Sequence, residues 1–289
     1  MFETELADRN TVFYILRRFG LRTKHRLGQN FLIRPDVVAD IAEAAELKEG
    51  TAVLEIGPGI GTLTQGLART GADVTAVEID EHLKDVLSHT LEPYNNVKIL
   101  FQDILKTDLS ALMEGKRWHV AANLPYYITT PILLHLVQSD LPIDVFVFMM
   151  QKEVAERIVA APGGKEYGAL SIAVQYYCTA ETITDVPPSA FIPRPAVTST
   201  VLRLRRRSAP AVAVKEEKLF FKLVKMAFAQ RRKIFSNAIK NGGIEAPLAA
   251  AILERAGIDG TRRGETFSMK EFAALADAWH DIKEEARNQ

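Results

Sequence analysis

Val53-Leu54-Glu55-Ile56-Gly57-Pro58-Gly59-Ile60-Gly61 is the stretch on which the reading of this chain turns. A short apolar run carrying one acid gives way to three glycines at alternate positions. That pattern suits a buried strand turning sharply into a helix, because glycine lets the backbone approach a ligand where a side chain would intrude. A nicotinamide-cofactor fingerprint would need G-x-G-x-x-G. Here Gly57-x-Gly59-x-x is followed by Thr62, and the third glycine comes one residue early, as Gly61. The spacing turns the reading away from a pyrophosphate, with a purely structural glycine turn as the plainer alternative.

Outward from this loop, short apolar runs alternate with amphipathic ones. Strands are expected at 52–56, 74–78, 97–101, 119–123 and 145–150, with helical spacing between them at 61–69 and 81–91. Their near-continuous hydrophobicity fits a parallel sheet buried on both faces. Repeated strand–helix units imply an open α/β sheet that binds ligands at the carboxyl ends of its strands. Runs 170–179 and 197–205 read as further strands completing it. A short helix over 11–19 ends at Gly20, and a basic, poorly patterned arm follows to Pro35. Asp36 is expected to cap the next helix, whose apolar positions include Val37, Ile41 and Ala45. Residues 206–215 read as a linker, and beyond it only helical patterns remain, around 218–229, 231–240, 247–256 and 269–282. The expected division is an N-terminal helix and basic arm (1–35), a catalytic α/β domain (36–207) with an open, mostly parallel sheet, and a small all-helical C-terminal domain (208–289).

The composition is that of a globular chain: of 289 residues 47% are hydrophobic and 25% charged, which excludes a disordered protein. The first ten residues lack the basic start and apolar stretch of a signal peptide, so a cytoplasmic location is expected. One cysteine, Cys178, allows no intrachain disulfide and no zinc cluster. The net charge of zero conceals a segregation. Residues 17–34 carry six Lys or Arg and no acid, 35–150 carry seven bases against seventeen acids, and 203–240 carry twelve bases against Glu216 and Glu217 alone. An acidic middle between basic blocks suggests that one task of the chain is polyanion binding. Solvated helix faces are the bland alternative.

The E-x-G-x-G-x-G loop resembles the cofactor loop of sheet-based S-adenosylmethionine-dependent methyltransferases, which have a Rossmann-like fold. Glu78 follows Gly57 by 21 residues and closes the second strand, where an acid accepts from both hydroxyls of a ribose. Asp103, just past the third strand, can accept from an adenine amine. After the fourth strand comes Asn123-Leu124-Pro125-Tyr126-Tyr127. An exocyclic adenine amine is a poor nucleophile, because its lone pair is delocalised into the ring. Hydrogen-bond acceptors aimed at its protons favour the pyramidal nitrogen of the transition state. The Asn123 side-chain carbonyl and the Leu124 backbone carbonyl can be those acceptors. Tyr126 offers a face on which a base can stack.

With these loops, the arm His25-Arg26-Leu27-Gly28-Gln29-Asn30-Phe31-Leu32 and the segment Phe191-Ile192-Pro193-Arg194-Pro195-Ala196-Val197 make the chain resemble the small-subunit ribosomal RNA adenine dimethyltransferases, the kasugamycin-resistance family. The resemblance runs from about Gly20 to Arg205 and more loosely through the tail. It implies S-adenosylmethionine as methyl donor, held by Asn30, Leu32, Gly57, Gly59, Glu78, Asp103 and Asn123. It implies dimethylation of two adjacent adenines in a hairpin loop near the 3′ end of small-subunit ribosomal RNA during ribosome assembly, on RNA or a pre-assembled small subunit. Asn123, Leu124, Tyr126 and Phe191 form the catalytic set, with Phe191 stacking on the target base opposite Tyr126. Arg22, Lys24, Arg26, Arg231, Arg232 and Lys233 are the expected RNA contacts. Neither metal nor membrane is called for, and a monomer suffices. The related large-subunit enzymes of macrolide resistance, a non-catalytic assembly factor and a small-molecule methyltransferase are the competing readings. The six histidines lack ligand spacing; Cys178 and the Phe146, Phe148, Met149, Met150 cluster read as core, and Tyr127 as packing beneath its loop.

Overall fold

The computed structural model describes residues 4–21, 29–230 and 232–288. Helix α1 (Arg9–Arg18), the two-residue strand β1 (Phe31–Leu32) and α2 (Pro35–Ala44) come first. Then β2 (Ala52–Ile56), α3 (Thr62–Arg69), β3 (Asp73–Glu78), α4 (Lys84–Thr90), β4 (Val97–Phe101), the one-turn α5 (Leu109–Leu112), β5 (Trp118–Asn123), α6 (Thr129–Val137) and β6 (Ile143–Gln151) alternate. They are followed by α7 (Lys152–Val159), α8 (Ala169–Tyr177), β7 (Cys178–Val186), β8 (Phe191–Ile192) and β9 (Ser199–Arg206). Four helices end the chain: α9 (Glu217–Ala229), α10 (Phe235–Asn241), α11 (Ala246–Ala256) and α12 (Met269–Arg287).

Seven strands form one sheet in the order β4-β3-β2-β5-β6-β9-β7. β2 runs parallel to β3 and β5, β3 to β4, and β5 to β6; β9 returns antiparallel to β6. Every residue of β2 is buried, as a strand between two parallel neighbours under helices should be, whereas β4 at the edge is only partly covered. The parallel register sets Ile56 against Val77, Glu78 against Phe101 and Glu55 against Ala121. The carboxyl ends of β2 to β5 therefore share one edge. A small antiparallel pair, Phe31 with Ile192 and Leu32 with Phe191, joins β1 to β8.

Two compact units divide the chain: Met1–Ala155 with Ala180–Arg206, and Glu156–Thr179 with Arg207–Gln289. Leu32, Val53, Leu67, Val74, Val147 and Phe191 belong to a core of the first. Tyr176, Phe220, Phe235, Phe267 and Phe272 centre the second. Among the described residues no helix is long and apolar enough to cross a membrane.

Three local expectations are corrected. The run from Leu170 to Tyr177 is helix, not strand. A continuous apolar run does not tell a buried helix from a buried strand. What decides here is polar: the Ser171 hydroxyl accepts from the Gly168 N–H at 3.0 Å, and Gln175 Nε2 donates to the Ile158 and Ala160 carbonyls at 2.8 and 2.9 Å. Asp36 does not cap α2; Arg34 stands at the cap with Pro35 in the first turn, and Asp36 pairs with the Arg34 guanidinium. The helix expected from residue 231 begins at Phe235.

Gly66 in α3 shows how closely the first unit is packed. A Cβ there would lie 2.1 Å from Val38 Cγ1 on α2. Alanine gains about 1 kcal/mol of helix propensity, but overpacking against a β-branched side chain with restricted χ1 costs about 1–3 kcal/mol. Gly66→Ala is expected to be net destabilising in urea unfolding, and less so in a Val38→Ala background.

Candidate active site

The turns after β2, β3, β4 and β5 open on a single cleft of about 1140 Å³. The first is the glycine loop. Gly59 is left-handed (φ +60°), a conformation that side chains rarely adopt, and it lies against the ring of Phe31. Its N–H donates to Glu78 Oε2 at 3.2 Å, and the Asp80 N–H donates to Glu78 Oε1 at 2.8 Å. Both donors favour the charged carboxylate, but burial outweighs them and raises its pKa. Glu55 lies deeper. Burial pushes its carboxyl up to about 8 against the opposing influence of Thr64, with the charge of Glu78 adding to the rise. Oε2 of Glu55 and Oγ1 of Thr62, two residues that line the cleft, have no hydrogen-bond partner. Asp103 accepts from the Leu105 N–H at 3.0 Å and so holds its own turn. The described lining includes these three acids and no Lys, Arg or His.

Beside the glycine loop, since β5 is the parallel neighbour of β2, stands the segment after β5. Asn123 Nδ2 donates to the Asn30 carbonyl at 3.3 Å. Only the NH2 end of a carboxamide can donate to a carbonyl, so the amide's polarity is set. The Leu124 N–H donates to the Met149 carbonyl at 3.0 Å, anchoring the loop to β6. The Pro125 carbonyl accepts from Thr129 Oγ1 at 3.0 Å and from the Ile128 N–H at 3.1 Å, folding the loop into α6. The Tyr126 hydroxyl is 2.7 Å from Ser199 Oγ, and burial raises its pKa.

Of the residues singled out from the sequence, Asn30, Leu32, Gly57, Gly59, Glu78, Asp103, Asn123, Leu124 and Tyr126 all line this cleft. Phe191 does not. It is 2% exposed and packs in the core, because its pairing with Leu32 draws it into the β1–β8 ladder. The ring offered to solvent is Tyr127, 56% exposed and on the cleft, not packed beneath its loop. Cys178, Phe146, Phe148, Met149 and Met150 are buried. Arg22, Lys24, Arg26 and Arg231 lie outside the described residues, and Arg232 and Lys233 are exposed just before α10. Sequence reasoning missed Ser199, which meets Tyr126 only through the fold, 73 residues away. It also passed over Glu55, whose place in the glycine motif was the available signal. Among the described residues no cluster of His, Cys, Asp or Glu could hold a metal ion.

The model of the ribosomal RNA adenine dimethylase family matches residues 20–275. The chain belongs to that family. It is 47% identical over 277 residues to ribosomal RNA small subunit methyltransferase A of Bacillus licheniformis, covering 93% of this chain and 95% of the relative. Among solved structures, it is similar to a dimethyladenosine transferase from Plasmodium falciparum, with TM-score 0.72, 25% identity, and 84% of this chain and 95% of that one covered. The 23S rRNA methyltransferase ErmE is also similar, with TM-score 0.67, 26% identity, and 87% of this chain and all of that one covered. In this family setting, the cleft at the ends of β2 to β5 is the candidate active site, and the mostly parallel sheet bears out the expected Rossmann-like methyltransferase fold.

Glu55 carries a test that needs no substrate. Its carboxyl, raised from 4.5 to about 8 in the fold, holds a proton that an unfolded glutamate has already released. Stability is then present in full below about 4.5 and declines as pH rises toward about 8. Glu55→Gln removes this dependence. Thermal melts of variant and parent are expected to shift in the variant's favour between pH 5 and pH 9.

Proposed function

We propose that this dimethylase uses S-adenosylmethionine to methylate the exocyclic amine of two adjacent adenines, in a hairpin loop near the 3′ end of small-subunit ribosomal RNA, during ribosome assembly. The observation that carries the reading is the orientation of Asn123. One N–H of its NH2 group goes to Asn30, which fixes which end of the amide is the carbonyl oxygen, the end able to accept from a substrate amine. With the Leu124 carbonyl it gives the pair of acceptors that a reacting amine requires.

The residues present fit the donor. Glu55 Oε2, buried and unpartnered, suits an ammonium, and a lining with three acids and no base suits a cation. Glu78 at the end of β3 would accept from ribose hydroxyls, and Asp103 after β4 from an adenine amine; both line the cleft. When bound, the donor supplies an electrophilic methyl group on a sulfonium. The protein's part is to hold the amine and keep its lone pair available. As the nitrogen gains a carbon it becomes acidic and gives its proton to solvent, so no dedicated base and no metal ion are called for. Tyr126 is fixed by Ser199, and Tyr127 stands free beside it; base stacking on such rings is worth about 1–3 kcal/mol. An adenine in a loop is cheap to draw out of its stack, compared with a few kcal/mol for a paired base.

The helical unit supplies part of the RNA grip in this reading. Arg232 and Lys233, with Arg231, would neutralise phosphates, as would Arg22, Lys24 and Arg26 of the arm. The small-subunit substrate is favoured over the large-subunit one because the relatives at 47% identity carry the former name, whereas ErmE shares 26%. A monomer acting in the cytoplasm is sufficient.

Two outcomes are expected. The protein transfers labelled methyl from the donor to unmethylated small subunits, and mapping places the label on neighbouring adenines. Asn123→Ala lowers kcat by about two to three orders of magnitude, while donor affinity by calorimetry changes far less. Equal losses in both would remove the role given to Asn123.

A further inference from the structure

We infer that the solvent face of α1 is a landing surface for single-stranded RNA that flanks the target adenine; this rests on the proposed function and extends it to a surface the catalytic reading does not use. One side of α1 is core: Val12 and Ile15 are buried, and with Leu16 and Phe19 they pack against Phe31, Ile60, Leu83 and Leu87. Phe31 lines the cleft, so the helix is mounted beside it. The mount is firm. Asp8 caps the helix through the Thr11 N–H at 2.9 Å, Leu6 N–H donates to Gln65 Oε1 at 2.8 Å, and Gln65 Nε2 donates back to the Thr4 carbonyl at 2.9 Å.

The other side carries Arg9, Phe13, Tyr14, Arg17 and Arg18, and the helix contains no acid. The acids just before it are engaged, Asp8 in the cap and Glu5 in a 2.6 Å ion pair with Arg69. Tyr14 is 56% exposed and Phe13 37%, although the helix has a core in which to bury rings. The Arg9 guanidinium lies 5.5 Å from the Phe13 ring centre; that of Arg18 lies 5.9 Å from Tyr14 and donates to its hydroxyl at 2.8 Å. Flat cations beside flat rings on an acid-free face offer phosphates their charge and unpaired bases their stacking surface. Helix stabilisation does not explain the set. It accounts for Arg17 and Arg18 in the last turn, where the dipole favours cations, but not for Arg9 in the first turn, where it opposes them.

The test uses the full-length protein, protein-free small-subunit RNA and a salt series. Arg9→Gln/Arg17→Gln/Arg18→Gln is expected to weaken binding at least tenfold at low salt. It should reduce the log–log salt slope by about 2 to 3, since each phosphate contact contributes about 0.7 to 0.9. Tyr14→Ala is expected to weaken binding several-fold with the slope unchanged. Donor affinity and melting temperature should stay at the parent's values in both. Parental affinity and slope in the triple variant would overturn the inference, as would a loss seen only on assembled subunits, which would point to a protein partner. Methyl transfer by the parent protein separates the two readings. If the parent methylates RNA and the variants bind it normally, only the α1 surface is lost; if the parent transfers nothing, the proposed function falls first.

Discussion

One hydrogen bond governs how the rest of the active site is to be understood: Asn123 Nδ2 to the carbonyl of Asn30. It spans 93 residues of chain, and its net contribution to stability is on the order of 0.5–1.5 kcal/mol. Its consequence lies in direction more than in energy. A carboxamide has a donor end and an acceptor end, and a backbone carbonyl bound to one N–H tells the two apart; the acceptor end is the one the proposed chemistry uses. Asn30 directly precedes the β1–β8 pair, so the role proposed for Asn123 depends on that pairing.

Burial organises the acids of the same cleft. Glu78 has two backbone N–H donors and still titrates higher than an exposed glutamate, because it has left water. Glu55, with an oxygen that finds no partner, is pushed further, to about 8. A protein tolerates such a group where a ligand can complete its bonding. The two carboxylates also disfavour one another's charge, so a cation between them would relieve both.

The charge pattern of the chain anticipates Arg17, Arg18, Arg232 and Lys233, but not Arg9, which follows an acid-rich start. Arg9, Arg17 and Arg18 sit on a helix packed onto the same core as the glycine loop, while Arg232 and Lys233 belong to the helical unit with its own aromatic core. In the proposed function, holding a large RNA and presenting one base are different demands, which the basic residues and the cleft would meet separately.

Much of this was legible in the sequence, because it depends on short-range constraints. The alternation of apolar runs gave the parallel sheet, the glycine spacing the first turn, and the positions of Glu78, Asp103 and Asn123 at strand ends placed them on one edge, since parallel strands align their ends. The α8 segment was not legible, because a continuous apolar run does not tell helix from strand, and the bonds of Gln175 to the Ile158 and Ala160 carbonyls form only in the fold. Nor were the burial of Phe191, the exposure of Tyr127, the grip of Ser199 on Tyr126 or the raised carboxyl of Glu55. Each depends on what lies next to a residue from a distant part of the chain. The sequence by itself determined which chemical groups stand at the strand ends; tertiary structure alone decided which face water, which face each other and which end of an amide is free, because burial and hydrogen-bond partners are properties of the packed chain.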